Sequence, residues 1–345
     1  MKDLAVLITA AGNVYMPGIT RCLRDNGERN IRIIGADMNS DKTILQMCDA
    51  MYQVPKAKDP EYIEVLLDIC SEEKVDILLP VMSAELEVLS LNKKRFKEVG
   101  TVVSVSEIGP LSVANNKLSL FNHLSKNRFP CAQYYYVNRM QEFEVAVKKL
   151  GYPQKKVCIK MTDGSGSRGF RILDDTVSRF ETFIFEKPTS AVVSLNEMRD
   201  ILNEAVEFPQ LLLMEYLSGE EYTVDLLADK GRTLYCCCRK SLRMENSIMQ
   251  EAEIICKPEI TKLCEDVVTS LGLDGNIGFD IEENENGVPL ILECNPRITA
   301  GVSFFERSGV NLPYLCIKKL LGENLPQIKQ EYGQVVRRRW LEMTT

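Results

Sequence analysis

The chain has 345 residues, and its 45% hydrophobic and 26% charged content is typical of a globular protein that folds in water. A formal net charge of −7 argues against a general nucleic-acid-binding protein. The single histidine, His123, excludes a Cys₂His₂ zinc site and catalysis by Ser-His or Cys-His pairs.

The cysteines and the apolar runs indicate the compartment. Twelve cysteines are scattered among apolar residues without a C-x-x-C pair, which favours buried thiols in a reducing compartment over disulfides. No apolar stretch reaches the length of a membrane span without charges. We therefore expect a cytoplasmic protein that binds neither membranes nor nucleic acid.

The first 104 residues alternate between predicted strands and helices. Strands are predicted at 4–9, 31–36, 77–79 and 101–104, with helices at 17–25, 60–70 and 84–96. This alternation is typical of a doubly wound parallel sheet with helices on both faces, which binds ligands at the carboxyl ends of its strands.

Gly12 and Glu85 lie in the segments that follow two of these strands, and they are our candidates for a substrate pocket. Each can equally be part of an ordinary turn or cap. Asp37, at the end of the second predicted strand, is a similar candidate, and for it we favour the ordinary turn. The turn at Gly12 lacks the G-x-G-x-x-G pattern, so this half is not a convincing dinucleotide-binding domain.

A helix is predicted to begin at Lys117, capped by Asn115 or Asn116. A cation at that end opposes the helix dipole, so Lys117 is oddly placed for stability alone and suits an anion. A helix at 141–150 and a strand at 156–161, which carries Lys160, follow.

The next segment is rich in glycine and serine, and its middle residues are Gly164, Ser165, Gly166 and Ser167. It has the G-x-G-x-x-G pattern, but residues 170–173 predict another strand instead of the helix that a dinucleotide site needs. Strand, glycine loop and strand are typical of a flap whose backbone N–H groups cover nucleotide phosphates, with Lys160 pointing into the same site. The alternative is a flexible hairpin tip.

The C-terminal part reads as strands at 211–216, 221–229 and 232–240, helices at 258–271 and 311–321, and a last strand at 334–342. That strand carries Arg337, Arg338 and Arg339, to which we assign no role.

Residues 277–301 predict a β-hairpin around Asn286-Gly287. With a two-residue turn, Asp280 and Glu293 face each other, about 5 Å apart at Cβ. Two such carboxylates repel unless a cation lies between them or one is protonated. Asn295 and Arg297 continue on the same face. Oxygen ligands from Asp280, Glu293 and Asn295 suit Mg²⁺, with Arg297 as a forked cation beside the metal.

Two alternatives remain for this hairpin. First, the segment can equally be the polar end of a hairpin whose acidic side chains are simply solvated. Second, the turn can be a longer loop over 283–287.

Together, these segments resemble the ATP-grasp superfamily, specifically the carboxylate–amine ligases related to the large subunit of carbamoyl-phosphate synthase. Four motifs occur in the order of that family: Lys117, Lys160 with the glycine flap, the hinge at 214–225 and the metal segment at 278–297. The resemblance covers essentially the whole chain. It implies an N-terminal pre-ATP-grasp domain at 1–114, a linker helix and lid subdomain at 115–213, and a C-terminal domain with an antiparallel sheet at 214–345.

The resemblance also implies a role for each matching residue. Lys117, Lys160 and the flap hold the phosphates of ATP. Glu215, with the backbone of Tyr216 and Leu217, reads adenine, and Glu221 binds the ribose. Mg²⁺, or Mn²⁺ in its place, is held by Asp280, Glu293 and Asn295. Beside the resemblance, we expect Arg297, Lys160 and Arg239 to be the catalytic residues. In the segment 239–246, we expect Arg239 and Arg243 to hold the acceptor carboxylate or the acyl phosphate.

The implied function is an ATP- and Mg²⁺-dependent ligase that activates a carboxylate as an acyl phosphate and joins it to an amine, releasing ADP and phosphate. Its partners are these two small molecules, and a homodimer is left open. Alternatives are a phosphotransferase, a subunit resembling carbamoyl-phosphate synthase that works with partner chains, and a non-catalytic nucleotide-binding module. The segment 239–246 departs from many relatives, and the chain has one ATP-grasp half where carbamoyl-phosphate synthase has two.

Overall fold

The computed structural model describes residues 1–162, 169–185, 190–245 and 248–339. The chain forms two compact units. Unit 1 comprises Met1–Asn115, Glu220–Ile281 and Glu293–Thr345, and unit 2 comprises Asn116–Gly219 and Glu282–Leu292. Residues 214–219 and 282–292, which we placed with the C-terminal segment, therefore pack in unit 2.

The N-terminal part of unit 1 contains a five-stranded parallel sheet with the strand order β3-β2-β1-β4-β5. Its elements are β1 (Leu4–Thr9), α1 (Met16–Arg24), β2 (Ile31–Asp37), β3 (Ala50–Gln53), α2 (Tyr62–Glu72), β4 (Ile77–Leu79), α3 (Leu86–Glu98), β5 (Val102–Val103) and α4 (Ile108–Ala114). The predicted doubly wound sheet is confirmed, whereas β3 and α4 were not predicted.

Both faces of this sheet are buried, which explains the continuous apolar run of β1. Val6 and Ile8 point to one side, where α1 packs, and Leu7 points to the other, where α2 and α3 pack. Successive side chains of a strand alternate between faces, so a strand covered on both sides is apolar throughout.

Unit 2 is built on a second five-stranded sheet with the order β6-β10-β7-β8-β9. Its elements are α5 (Lys117–Lys126), β6 (Tyr134–Val137), α6 (Met140–Lys149), β7 (Val157–Met161), β8 (Arg171–Leu173), α7 (Arg179–Phe185), β9 (Val192–Val193), α8 (Leu195–Asn203) and β10 (Leu211–Glu215). Helices α6 and α8 cover one face, and Phe121 of α5 packs against the other.

The C-terminal part of unit 1 contains most of a six-stranded antiparallel sheet with the order β15-β14-β11-β12-β13-β16. Its elements are β11 (Glu221–Asp229), β12 (Arg232–Glu245), β13 (Ile248–Ile255), α9 (Pro258–Leu271), β14 (Gly275–Glu283), β15 (Pro289–Asn295), α10 (Leu312–Leu320) and β16 (Val335–Arg337). The ends of β14 and β15 next to their connecting loop, at 282–283 and 289–292, belong to unit 2. The predicted antiparallel sheet is confirmed. Strand β13 was missed, and its pairing explains why β12 continues beyond the predicted end at residue 240.

Helix α10 belongs to the same apolar core as α1 and one face of the parallel sheet. Leu227, Cys237 and Ile254 of the antiparallel sheet join that core as well, so both sheets of unit 1 share it. All twelve cysteines are free thiols, as expected. Within the described part of the chain, no helix is long and apolar enough to cross a membrane.

Candidate active site

Strands β14 and β15 bring the predicted metal ligands of unit 1 together. The Asn295 amide Nδ2 donates a hydrogen bond of 3.2 Å to Oδ2 of Asp280. Burial and the negative charge of the nearby Glu293 raise the pKa of Asp280 to about 7. Glu221, the predicted ribose ligand on β11, is also near enough to raise that pKa.

The turn that joins these strands is not the two-residue turn that we predicted. The Gly287 N–H donates to the Asn284 carbonyl at 2.9 Å, and the Asn284 N–H donates to the Val288 carbonyl at 3.0 Å. Oδ1 of Asn284 also accepts from the backbone N–H groups of Asn286 and Val288. With Gly287 at a φ of +70°, these bonds close the longer loop.

The charges of this cluster fit a divalent cation. Burial raises the cost of ionising Asp280, and the charge of Glu293 adds to that cost. A hard cation with oxygen ligands removes both penalties. Among the described residues, no group of three or more His, Cys, Asp or Glu side chains has the arrangement of a metal site. The predicted site therefore has two protein carboxylates, which suits an ion that keeps waters and phosphate oxygens as its other ligands.

Arg297 lies beside the cluster. Its Nη2 donates to Oδ1 of Asn295 at 3.0 Å, and its Nε donates to Oγ of Ser83 at 3.1 Å. Since Ser83 follows β4, the carboxyl end of the parallel sheet adjoins the metal cluster within unit 1. A planar guanidinium held by two neighbours is pre-oriented for an anion.

Arg239 has a different environment. Its side chain is buried, forms an ion pair with Asp225 and donates to the Gly301 carbonyl at 3.3 Å. Asp225 also accepts a hydrogen bond of 2.6 Å from Thr299. The guanidinium lies 5.1 Å from the ring centre of Phe305. The charge of Arg239 is thus balanced inside the fold, and its predicted catalytic role stays a prediction.

Sequence reasoning gave Asp225 and Thr299 no role, although a signal was present. Glu221, Thr223 and Asp225 follow each other at every second position of β11, so they share one face. Thr223 Oγ1 lies 3.5 Å from Oδ1 of Asp280, which shows that this face adjoins the metal cluster.

The predicted substrate residues Gly12 and Glu85 both have hydrogen-bond partners within the fold, and their role in substrate binding stays a prediction. The Gly12 N–H donates to Oδ2 of Asp37 at 2.9 Å, which confirms Asp37 as a turn residue. The buried Glu85 carboxylate accepts four hydrogen bonds, and burial raises its pKa. Its donors are Thr9 Oγ1, Tyr62 OH and the backbone N–H groups of Val81 and Met82.

The remaining predicted substrate residue, Arg243, is exposed on β12, where it pairs in register with Glu251. Asn246, at the end of the same predicted segment, lies outside the described residues, as do Gly164, Ser165, Gly166 and Ser167 of the predicted flap.

In unit 2, Lys117 is the first residue of α5, as predicted. The Asn116 side chain caps the helix by accepting a hydrogen bond of 2.9 Å from the Ser119 N–H. Lys160, on β7, is half-buried, and its Nζ lies 5.9 Å from the ring centre of Phe170.

The sheet face that carries Lys160 is apolar and rich in aromatic residues. Lys160 and Tyr136 both pair with Leu212, so the three share this face. The buried Tyr136 hydroxyl has no hydrogen-bond partner among the described residues. The other apolar side chains of this cluster include Phe121, Tyr134, Cys158, Phe170, Ile172, Met214 and Leu217.

The three predicted adenine-binding residues follow this face at the end of β10. Oε1 of Glu215 accepts from the Gln133 N–H at 2.8 Å. The Tyr216 N–H donates to the Lys156 carbonyl at 3.3 Å, and the Leu217 side chain is buried. A flat apolar surface that ends in backbone polar groups suits a heterocyclic base.

Two family models match the chain. Residues 6–104 match the PylC-like N-terminal domain, and residues 207–343 match the family described as ATP-grasp in the biosynthetic pathway with Ter operon. The predicted recognition as an ATP-grasp protein is thereby confirmed. A search of curated proteins gives no significant match.

Solved structures share the fold over almost the whole chain. The ADP complex of an N5-carboxyaminoimidazole ribonucleotide synthetase is 16% identical, with a TM-score of 0.69, covering 95% of this chain and 79% of its own. An L-amino acid ligase from Bacillus licheniformis is 14% identical, with a TM-score of 0.64 and coverages of 93% and 74%.

A third structure is the biotin carboxylase domain dimer of the Hydrogenobacter thermophilus 2-oxoglutarate carboxylase, in complex with MgADP, ADP and bicarbonate. It is 18% identical, with a TM-score of 0.68 and coverages of 96% of this chain and 73% of its own. These likenesses confirm the predicted ATP-grasp fold.

Proposed function

We propose that this protein is an ATP- and Mg²⁺-dependent ligase that joins a small carboxylate to an amine. The observation that carries the proposal is the cluster of Asp280, Glu293 and Asn295, in which the half-buried Asp280 carboxyl has a raised pKa and Arg297 lies alongside. The ATP-grasp family match and the fold shared with synthetases, a ligase and a carboxylase support it.

Asp280, Glu293 and Asn295 would hold Mg²⁺, which when bound supplies charge neutralisation to the phosphates of ATP. The amide of Asn295 offers Nδ2 to Asp280 and Oδ1 to Arg297. A half-turn of this amide would direct its oxygen toward Asp280, as a metal ligand requires. It would also break the hydrogen bond from Arg297 and so release Nη2 of Arg297 for the phosphoryl group. Arg297 would bind and orient the transferred phosphoryl group.

The chemistry needs positioning more than a protein nucleophile. A carboxylate oxygen of the substrate attacks the γ-phosphorus, the bond from that phosphorus to ADP breaks, and an acyl phosphate forms. The amine nitrogen then attacks the acyl carbon, the carbon–oxygen bond to phosphate breaks, and the amine loses a proton. The products are an amide, ADP and phosphate.

For unit 2, we propose that Lys117 and Lys160 bind phosphate oxygens. The aromatic face, with Glu215, Tyr216 and Leu217, would take adenine, and in unit 1 Glu221 would take the ribose. The segment containing Gly164 and Gly166 would cover the phosphates and exclude water. We also propose a cytoplasmic location, supported by the free thiols, and a homodimer, since one structure with this fold is a dimer.

The test is ADP release by the purified chain with MgATP, a panel of small carboxylates and a panel of amines. We expect release that requires Mg²⁺ and depends on both a carboxylate and an amine. Release with a hydroxyl acceptor alone would favour a phosphotransferase. Nucleotide binding without turnover across the whole panel would favour a binding module.

A further inference from the structure

Arg338 differs from its two basic neighbours in the run that follows the antiparallel sheet. Arg337 is exposed and pairs with Glu251, and Arg339 is exposed, whereas Arg338 is half-buried. Adjacent residues of an extended chain point to opposite faces, so the middle arginine turns inward. Its backbone N–H donates to the Gln250 carbonyl at 2.8 Å, which fixes the chain at this point.

The guanidinium of Arg338 is only partly satisfied. Its Nη2 donates to the Ala300 carbonyl at 2.6 Å, and its ring contact is Phe304, at 5.5 Å. Its Nη1 is buried and has no hydrogen-bond partner among the described residues. A buried donor of a permanent cation is costly when unpaired, and an arginine cannot escape that cost by losing its proton.

A second cation lies close by. Arg239 is also within about 6.0 Å of the Phe304 ring, so the two guanidiniums share one aromatic neighbour. Arg239 is balanced by Asp225, but Arg338 has no carboxylate partner in the part of the chain that the structure describes. Burial and the charge of Arg239 lower the pKa of Arg338. Arg239 and Arg338 therefore carry two positive charges, of which Asp225 balances only one. The space around the two guanidiniums, which we call the Arg338 pocket, lacks one negative charge.

The turn after β1 supplies another unpaired donor. Nδ2 of Asn13 is buried without a partner among the described residues, while Oδ1 of the same amide accepts from the Tyr15 N–H at 3.0 Å. A Cβ atom on Gly18, in α1 just after this turn, would lie 2.3 Å from Oγ of Ser303, so the start of α1 packs against the segment whose Ala300 and Phe304 contact Arg338. The Tyr15 hydroxyl also donates to the Val81 carbonyl at 3.3 Å, at the end of β4.

We propose that Arg338 binds a carboxylate group of the ligase's carboxylate substrate and that the Asn13 amide is the second donor to that group. This inference rests on the proposed function, since it names a substrate-binding residue of the same site. A forked guanidinium and an amide N–H both match a planar oxyanion. Arg239 would then act as a positioning residue, because Asp225 already uses its charge.

The experiment compares carboxylates with their uncharged amides on the purified full chain in saturating MgADP. The probes are acetate, succinate and glutarate, matched with acetamide, succinamide and glutaramide, and binding is measured by calorimetry and thermal shift. Arg338→Gln removes the cation, and Arg337→Gln is the matched control on the exposed side. Asn13→Asp keeps the acceptor for Tyr15 but places a negative charge in the pocket.

We expect the wild-type chain to bind at least one carboxylate over its amide. Arg338→Gln and Asn13→Asp should each weaken this binding at least tenfold, and Arg337→Gln should leave it unchanged. Arg338→Lys keeps the charge but not the forked guanidinium, so its loss of carboxylate affinity should be intermediate. It replaces Arg338→Gln in the comparison if that variant does not fold.

Two results would overturn the inference: no preference of the wild-type chain for any carboxylate, or equal binding by the folded Arg338 variants. MgADP binding separates this failure from that of the proposed function. A chain that binds MgADP while its Arg338 variants keep full carboxylate affinity refutes only the role of Arg338, whereas failure to bind MgADP refutes the ligase.

Discussion

In the proposed metal cluster, Asp280 differs most from an ordinary surface carboxylate, because burial and the charge of Glu293 raise its pKa. Its neighbours are Glu293 and Asn295 on β15 and Thr223 on β11. Glu293 repels its charge, and the other two offer hydrogen-bonding groups. A group of this kind stores electrostatic free energy that a cation can release. Two predictions at the residue scale follow from that charge.

The first concerns pH. Because the pKa of Asp280 is raised from 3.8 to about 7, the folded state binds more protons than the unfolded state between these values. The Asp280 contribution to stability is therefore most favourable below the unfolded pKa and declines as pH rises to about 7. The full shift corresponds to on the order of 4 kcal/mol.

Without Mg²⁺, Asp280→Asn should therefore gain stability relative to the wild-type chain as pH rises from 5 to 8, measured by urea unfolding. Added Mg²⁺ should raise the melting temperature of the wild-type chain more at pH 8 than at pH 5. Asp68→Asn, on the exposed side of α2, is the control. A pH-independent difference between Asp280→Asn and wild type would contradict the shifted pKa.

The second prediction concerns Glu293. Glu293→Gln keeps the size of the side chain but removes one of the two carboxylate charges that we propose bind the metal, so turnover should fall by about 100-fold or more. ADP release is measured at saturating MgATP, and circular dichroism confirms the fold. Glu285→Gln is the matched control, since Glu285 is exposed in the same hairpin and pairs with Lys155. Full activity of the Glu293 variant would remove the metal assignment.

At the scale of elements, Gly278 of β14 explains how β14, β11 and the segment after β15 approach each other closely. A Cβ atom there would lie 2.1 Å from Cγ2 of Thr299 and 3.2 Å from Oδ1 of Asp225. Any side chain would thus displace the partners of the buried Arg239. The close packing of β14 depends on a residue without a Cβ.

Gly278→Ala should therefore destabilise the chain by about 1–3 kcal/mol, the usual cost of overpacking. Urea unfolding measures the change. Gly109→Ala is the control, because a Cβ at Gly109, in α4, meets no atom within 4 Å and alanine favours helix. Equal free energies of unfolding for Gly278→Ala and wild type would show that the Thr299 side chain can move aside without loss of stability.

The elements that sequence patterns predicted well are those with a single strong signal. The strands 4–9, 77–79 and 221–229 and the helix 258–271 agree with the structure at both ends. Strand β13 was missed because charged and apolar residues mix in it, and its partner β12 decides its conformation. The loop at Asn284 was mispredicted because the Asn-Gly signal ignores side-chain capping two residues earlier.

The residues of the candidate site show the same difference between local sequence signals and contacts with distant segments. Asp280, Glu293 and Asn295 were grouped by the two-residue period of strands, and the structure brings Asn295 into hydrogen-bond contact with Asp280. Their role as metal ligands stays a prediction. Arg239 and Glu85 were identified as chemical candidates, but their partners come from distant segments that no local pattern reveals. For the same reason Arg338 received no role, since only tertiary packing shows which arginine of the run turns inward.

At the scale of the whole molecule, unit 1 is assembled from three separate chain segments. One apolar core contains Ile8 and Met16 of the N-terminal segment together with Leu227, Phe305 and Leu315 from the later ones. Each of these side chains is less than 4% exposed, so none of the segments can bury its share alone. Two of these segments also meet beside the proposed metal cluster, where Arg297 contacts Ser83.

Residues 1–115 expressed alone should therefore fold poorly, although they contain a complete parallel sheet. The face carrying Ile8 and Met16 would be left in water, and each such buried side chain contributes about 1.5–3 kcal/mol on burial. We expect weak, non-cooperative thermal unfolding and binding of a dye specific for exposed apolar surface. The full chain, as the control, should show one sharp transition for unit 1 and no dye binding. Cooperative unfolding of the fragment near the temperature of the full chain would mean that the shared core is not needed for its stability.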